Sequence, residues 1–381
     1  MISKNRMLSE DCKEVCRSLG YDVSGNDNDK QMPSSYASGE TLPYDKAYIF
    51  VLNKLGLKAN PQFEQLFELF QSRYERFVDQ NQNAADLSVL FMDWYQHANT
   101  EGFTPGEYFY YELFNKDAEE RRTFISSRDK AALKKLNDPL RFAYLSNRAI
   151  FNEHFSDQIT REWVNGVTRG RQEIQEFIAK HQVFFVKASN ANYKYKPAII
   201  DSSKYQENVL FELMHYKGLL AETIIEQHEQ LAEINPSSLN TVRAVVRSDG
   251  QEAKVVAAAA SFGKDGDVYD SFTRTGLAAS VDVESGTINS PLVDKYNNVY
   301  EKHPDTNASI IGMVYPAWNQ ICDVVCKAML DFPELVNAGW DVAVRKDGGV
   351  ELMGGVAGNN YIAMQMPNQR GIRNLYEDVL E

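Results

Sequence analysis

The sequence predicts an α+β protein in which a mostly helical N-terminal region precedes a sheet-rich body, and three features of its 381 residues carry that expectation. Between Tyr44 and about Asn137, aromatic residues and Leu recur at three- and four-residue spacing, the period of one buried helix face. Near Pro139 the texture changes, and strand and helix signals alternate from there on. Beyond residue 240, long apolar runs meet at Gly-containing turns, as in an antiparallel meander.

Taken in order, a helix over about Leu8 to Leu19 gives way to "DVSGNDNDKQMPSSYASGE", a polar linker in which Gly, Asn, Asp, Pro and Ser crowd out apolar residues. The stretches "DKAYIFVLNKLG", "NPQFEQLFELFQSRYERFVDQ" and "ADLSVLFMDWYQHA" each read as an amphipathic helix whose aromatic stripe packs in a core. His181–Ala188 and Tyr195–Asp201 read as strands around a polar loop, and Tyr205–Gly218 as a helix ended by its glycine. "GLLAETIIEQ" reads as a buried strand with a polar exit. Two long strands then turn at Ser248-Asp249-Gly250, and a third follows Gly263-Lys264-Asp265-Gly266. A helix, "AWNQICDVVCKAMLDF", precedes a last hairpin, "GWDVAVRKDGGVELMGGVAGNN", turning at Lys346-Asp347-Gly348-Gly349.

Composition narrows the function. With 43% hydrophobic and 12% aromatic residues the chain is globular, and a net charge of −13 argues against a nucleic-acid-binding surface, which needs a basic patch. The four cysteines fall as Cys12/Cys16 and Cys322/Cys326, at helical spacing rather than that of zinc ribbons, and read as small buried residues in a reducing compartment. The start has no apolar signal region and no apolar run reaches membrane-spanning length, so a cytoplasmic protein is expected.

Several residues are candidates for chemistry. Lys187 closes an apolar strand beside a polar loop, suiting a phosphate contact or a strand-end lysine reaching water. Glu222, at the end of "LLAE", suits hydrogen bonds from a nucleotide or a solvated strand end. In "NPSSLNTVRAVV", Asn240 and Arg243 lie near each other at the mouth of a sheet, where the guanidinium suits bidentate recognition of phosphate or carboxylate; pairing with a surface carboxylate is equally compatible. Asp270 and Asp341, both expected on short strands, are oxygen ligands of the kind Mg²⁺ uses. His303, in "EKHPDTN", reads as a loop residue rather than a general base. No Walker loop, G-x-G-x-x-G, G-x-S-x-G or H-E-x-x-H pattern is present.

In order, "LLAETIIEQHEQLAEINPSSLNTVRAVV", "DVYDSFTRTGLAASVDVESGTI", "YEKHPDTN", "YPAWNQI" and "FPELVNAGWDVAV" resemble the ATP-grasp proteins associated with sugar transfer and polysaccharide loci. A weaker match, "LSNRAIFNEHF" followed by "FFVKAS", extends the resemblance back to about Leu145. It implies an ATP-grasp fold, two α+β lobes clamping ATP, here residues 139–221 and 222–381. An N-terminal helix with its linker (1–43) and a helical region (44–138) precede them. It also implies an ATP-dependent ligase that activates a small-molecule or sugar-linked carboxylate as an acyl-phosphate and joins it to an amine. Position by position, Lys187 and Arg148 fall on phosphate-binding cations, and Glu222, Ile224 and Ile225 on the adenine-contacting linker. Asn240 and Arg243 match N-T-x-R, whose arginine faces phosphate, and Asp341 matches the first Mg²⁺-binding carboxylate, with Asp270 a second candidate.

The departures from that pattern are specific. The loop "ASNANYKYK" after Lys187 has no glycine, Ser271, Thr275 and Ser261 replace motif residues, and Gly354, Gly355 and Val356 stand where E-G-N supplies metal ligands. Asn359 or Asn360 is left to supply an oxygen. Two further readings follow: a degenerate ATP-grasp protein that binds an anionic ligand or a partner, and, more weakly, a small-molecule kinase. The helical N-terminal region is the expected seat of acceptor or partner specificity.

Overall fold

Phe63, Phe67, Phe70 and Tyr74, three or four residues apart along the helix Pro61–Phe77, are all buried, as their spacing requires. The computed structural model describes residues 48, 51–58, 61–77, 84–190, 196–359 and 361–380. The expected helix at Leu8–Leu19, the polar linker, Cys12, Cys16, Asn360 and residues 191–195 of the loop after Lys187 lie outside the described residues. Ala84–Asp93 adds Leu87 and Phe91 to the aromatic core and runs on into a π-helical turn, Trp94–Ala98. Phe91 packs edge-on against Phe63 and Phe70, with ring centroids 5.6 and 5.3 Å apart. Short helices follow at Pro105–Tyr110 and Ser127–Lys135, each opened by a capping box, Thr104 with Glu107 and Ser126 with Asp129.

Two antiparallel sheets follow. The smaller has strand order β1 (Trp163–Asn165), β4 (Leu219–Glu222), β2 (Val183–Ala188), β3 (Ala198–Asp201). Alternation along its strands divides its faces. Phe184 and Val186 of β2, with Leu219 and Ala221 of β4, pack under the helices Arg171–Lys180 and Glu207–Tyr216. Phe185, Lys187 and Glu222 therefore point the other way. Gly218 closes the second helix at φ +61, where a side chain would be strained.

The larger sheet has order β11 (Val350–Val356), β10 (Asn337–Val344), β5 (Thr241–Ser248), β6 (Ala253–Phe262), β7 (Leu277–Val281), β8 (Leu292–Val293), β9 (Val299–Tyr300). The alanine run of β6 has low strand propensity, and burial on both faces explains it. Ala258 and Ala260, with Val242, Ala244 and Trp340, lie in the core beneath the helix Trp318–Leu330. Ala257 and Ala259, with Val245, meet Ile125 and Leu133 of the helical region and Tyr361 and Tyr376 of the C-terminal segment. Asn137 fastens that junction: its Nδ2 donates to the carbonyls of Asn337 and Ala357 (2.7 and 2.8 Å), and its Oδ1 accepts from Val336 N and Asn337 N. The helical region and the C-terminal segment thus cover part of one face of the large sheet.

Two expectations need correction. Asp270 is not on a strand: it follows the bridge residue Tyr269, and a tight loop, in which Arg274 N and Gly276 N both donate to Ser271 O, delays the third strand of the meander to Leu277. A Cβ at Gly276 would meet Asp270 O at 2.3 Å, so the loop closes only with glycine there. The strand read into "GLLAETIIEQ" stops at Glu222, and residues 223–226 run on without regular structure. Cys322 and Cys326 are free and half-buried on one helix. Among the described residues no helix is long and apolar enough to cross a membrane.

Candidate functional site

The helix-free face of the small sheet and the uncovered part of the large sheet enclose a cavity of about 860 Å³. Its walls differ in character. Phe185 of β2, Ile199 of β3 and Ile224 and Ile225 of the segment leaving β4 make an apolar wall. Thr241 and Arg243 of β5, Ser261 of β6 and Asp341 of β10 make the opposing polar wall, with Asp270 beside them. A cleft of this size, mostly apolar with a few convergent polar groups, is what a nucleotide-sized ligand needs.

Behind the cleft lies a buried charge network. Lys187 Nζ is 2.7 Å from Glu222 Oε2, and Arg161 Nε is 2.9 Å from Glu222 Oε1. Arg161 Nη1 also reaches Glu351 Oε1 of β11 at 2.8 Å and donates to Leu352 O, while its Nη2 donates to Asn152 Oδ1. Arg161 precedes β1, so this guanidinium joins the small sheet to the large one. Burial pushes the Glu222 carboxyl up, but Arg161 and Lys187 outweigh it and bring it down to about 2. Burial lowers Lys187 despite its partner. Glu222 is therefore no solvated strand end: its carboxylate is committed to Lys187, Arg161 and Asn152. Lys187 does not itself line the cavity, whereas Glu222 and Arg161 do.

On the polar wall, Arg243 and Asp341 are direct partners across β5 and β10. The pair is bidentate, with Nε to Oδ1 and Nη2 to Oδ2 both 2.7 Å, and each side chain remains 31% exposed, open to a ligand. The carboxylate holds the guanidinium's pKa above its ordinary value. Asp270 Oδ2 accepts from Thr241 N at 2.8 Å and Thr241 Oγ1 at 2.5 Å. Burial nevertheless pushes its carboxyl up to about 6, and the charge of Asp341 adds to the rise. Arg148 opens the helix Arg148–His154, capped by Asn147, and its Nη1 donates to Ala188 O at the end of β2, at 2.6 Å. Burial lowers its pKa, against the opposing pull of Glu222 and Asp341.

The donor set does not fit Mg²⁺. Gly354 stands directly opposite Asp341, and a Cβ there would lie 3.9 Å from Asp341 Oδ2, so a longer side chain would reach the carboxylate; glycine offers none. A bulge after Asp341 brings Met353 into the cavity lining, and a thioether is a poor ligand for a hard cation. A Cβ at Gly355 would point at Leu145 and Phe151, away from the site. Asn359 is buried against Gly339. Among the described residues no three His, Cys, Asp or Glu side chains converge on a metal position. Each oxygen of Asp341 already accepts one hydrogen bond from Arg243, so a cation there would share its one protein carboxylate with a guanidinium.

One other expectation is placed differently. Asn240 is wholly buried and does not face the cleft: its Nδ2 donates to Gln227 Oε1, Leu231 O and Asn235 O, locking the loop before β5. His303 lies in a loop, as expected, and is buried with its Nε2 2.7 Å from Gly263 O. No described residue before Arg148 lines this cavity, and the helical region packs on the large sheet through Ile125 and Leu133. Sequence reasoning missed Arg161, Glu351 and Met353. The one available signal was Glu351, a carboxylate between Val350 and Leu352 in a strand otherwise free of charge.

Residues 172–381, more than half of the chain, match the family described as "Sugar-transfer associated ATP-grasp". No curated protein matches as a relative. Among solved structures the chain is similar to the ATP-grasp ligase PsnB complexed with minimal precursor, at 12% identity and a TM-score of 0.40, over 64% of this chain and 62% of that one. It is similar to the D-alanine-D-alanine ligase from Coxiella burnetii at 13% identity and a TM-score of 0.37, over 62% and 57%. For N5-carboxyaminoimidazole synthase from Aspergillus clavatus the values are 11% and 0.37, over 60% and 50%. The chain thus spans from half to about three fifths of the length of these structures.

Proposed function

Since this chain belongs to the sugar-transfer associated ATP-grasp family, with that fold in its C-terminal part behind a mostly helical N-terminal region, we propose that it is an ATP-dependent ligase binding ATP between its two sheets. The reading rests on one observation, a nucleotide-sized cleft with an apolar wall facing a wall that presents Arg243. The adenine would lie along Phe185, Ile199, Ile224 and Ile225, beside the segment that leaves Glu222. Arg148 and Arg243 would face the phosphates, and Lys187 would lend its charge from behind Glu222. The two lobes of the clamp would comprise residues 139–221 and 222–381.

In the proposed reaction a carboxylate oxygen of a small or sugar-linked acid attacks the γ-phosphorus and ADP leaves. An amine then attacks the acyl carbon of the resulting acyl-phosphate, and phosphate leaves as the amide forms. Such phosphoryl transfer asks for positioning and charge neutralisation more than for a protein base, which suits a site whose nearest carboxylates are already hydrogen-bonded.

A second reading, a nucleotide- or anion-binding module without turnover, is favoured by the Arg243–Asp341 pair, which occupies the carboxylate a metal would need. Hydroxylamine, an amine surrogate, tests both against a panel of uronic and small carboxylic acids. A ligase forms hydroxamate and ADP together with one of the acids. ATP binding without ADP selects the binding module, phosphate retained on an acceptor selects a kinase, and no ATP binding at millimolar nucleotide overturns the nucleotide reading.

A further inference from the structure

A carboxylate on the wall of a phosphate-sized site needs a counter-charge, and in this chain the counter-charge is built in. Arg243 and Asp341 are register partners on adjacent strands, joined through two 2.7 Å contacts. On the other side of Asp341 the paired residue is Gly354, and the side chain that β11 sends into the cleft is the thioether of Met353. The other carboxylate at hand, Asp270, has one oxygen already accepting twice from Thr241. A divalent cation at Asp341 would have to share a carboxylate already neutralised by a bidentate guanidinium and find its remaining oxygens elsewhere.

The guanidinium keeps capacity in reserve. Nε and Nη2 serve Asp341, and no hydrogen bond from Nη1 to a described residue is found, in a side chain that is 31% exposed. We propose, on the reading of the cleft as a nucleotide site, that it takes the triphosphate without a divalent cation, with Arg243 in the cation's place and Asp341 as the positioning residue that aims it. Free phosphate oxygens then meet Nη1 first and compete with Asp341 for Nη2.

This assignment inverts the sign of one substitution. Were Asp341 a metal ligand, Asp341→Asn would weaken the binding of ATP in magnesium. As a counter-charge to Arg243, it repels phosphate and occupies the guanidinium, so its neutralisation strengthens binding. The experiment is isothermal titration of ATP into the full chain, once in EDTA and once in excess MgCl₂, repeated with Asp341→Asn. Magnesium is expected to leave the wild-type affinity unchanged or to weaken it, and Asp341→Asn is expected to bind ATP in EDTA about tenfold more tightly, which corresponds to about 1.4 kcal/mol. Tightening of the wild type by magnesium beyond about threefold, roughly 0.65 kcal/mol, overturns the inference while leaving the nucleotide reading intact. So does weaker binding by a folded Asp341→Asn. Absence of binding in both buffers removes the nucleotide reading and this inference with it. If Asp341→Asn does not fold, the two wild-type titrations decide alone.

Discussion

Replacing Arg161 by Met should cost this protein more stability than removing any exposed ion pair. The side chain is 1% exposed and lies between two carboxylates that are 2% and 0% exposed, Glu222 and Glu351. Met fills part of the space but leaves Leu352 O and Asn152 Oδ1 without their donors and both carboxylates without their shared cation. Glu222 keeps Lys187 at 2.7 Å and Asn152 at 3.2 Å. Glu351 keeps Thr160 Oγ1, the backbone N of residue 161 and a distant Arg345 at 3.7 Å. Breaking a buried pair from one side costs about 3–5 kcal/mol, and the surviving contacts place this case near the lower end, about 3 kcal/mol. The assay is urea unfolding near neutral pH, followed by tryptophan fluorescence and far-ultraviolet circular dichroism. The double variant Arg161→Met/Glu351→Leu should recover at least about 1 kcal/mol of the loss, since it removes the orphaned charge. The acid limb gives a second reading. Glu222 is held at about 2 against an ordinary value of 4.5, so its contribution is complete above 4.5 and is lost as pH falls towards about 2. That loss should shrink in Arg161→Met. A single-variant cost below about 1 kcal/mol would refute the reasoning, because it would place the network in a solvent-like environment.

Two further outcomes follow from the same geometry. Asp270 titrates near 6 when folded against 3.8 unfolded, so its favourable contribution is complete below 3.8 and is lost as pH rises through about 6. At about 1.4 kcal/mol per pH unit the ceiling is about 3 kcal/mol, and Asp270→Asn should stabilise the chain by about 1–2 kcal/mol near neutral pH and by nothing below the carboxylate range, as urea titrations at the two pH values would show. Asn137→Ala removes four hydrogen bonds at the junction of the helical region with β10 and the end of β11, two of them to carbonyls, and should cost about 2–4 kcal/mol in the same assay; a loss under about 0.5 kcal/mol would mean that water replaces the amide without penalty.

Much of the fold was legible because burial writes itself into residue spacing. The three-and-four spacing of Phe63, Phe67 and Phe70 foretold a helix face, and Gly250 and Gly348, at φ +89 and +81, foretold the turns of two hairpins. What spacing does not encode is where a strand stops. Residues 223–226 continue the apolar run of β4, yet they leave the sheet to line the cavity, and Asp270 sits in a loop whose closure depends on Gly276 meeting the Asp270 carbonyl. In both cases the deciding contact is with a distant or tightly folded segment rather than with the local pattern.

The site divides along the same line. Arg243 and Asp341 were legible as candidates because a charged residue among the buried apolar residues of a strand must find a partner. That they satisfy each other was not legible, since 98 residues separate them and only the register of β5 against β10 brings them together. The local reading of Arg243 had offered two roles, recognition of an anion or pairing with a carboxylate. The structure realises the second with the residue that family resemblance assigned to the metal. A glycine at position 354 is then intelligible as more than the loss of a ligand. A carboxylate there would approach Asp341 from the side opposite Arg243, and one guanidinium would face two anions, an arrangement that calls for a further cation. With glycine at 354 and a thioether at 353, one arginine is enough to balance the charge, and the acid's own cation decides the electrostatics of this wall.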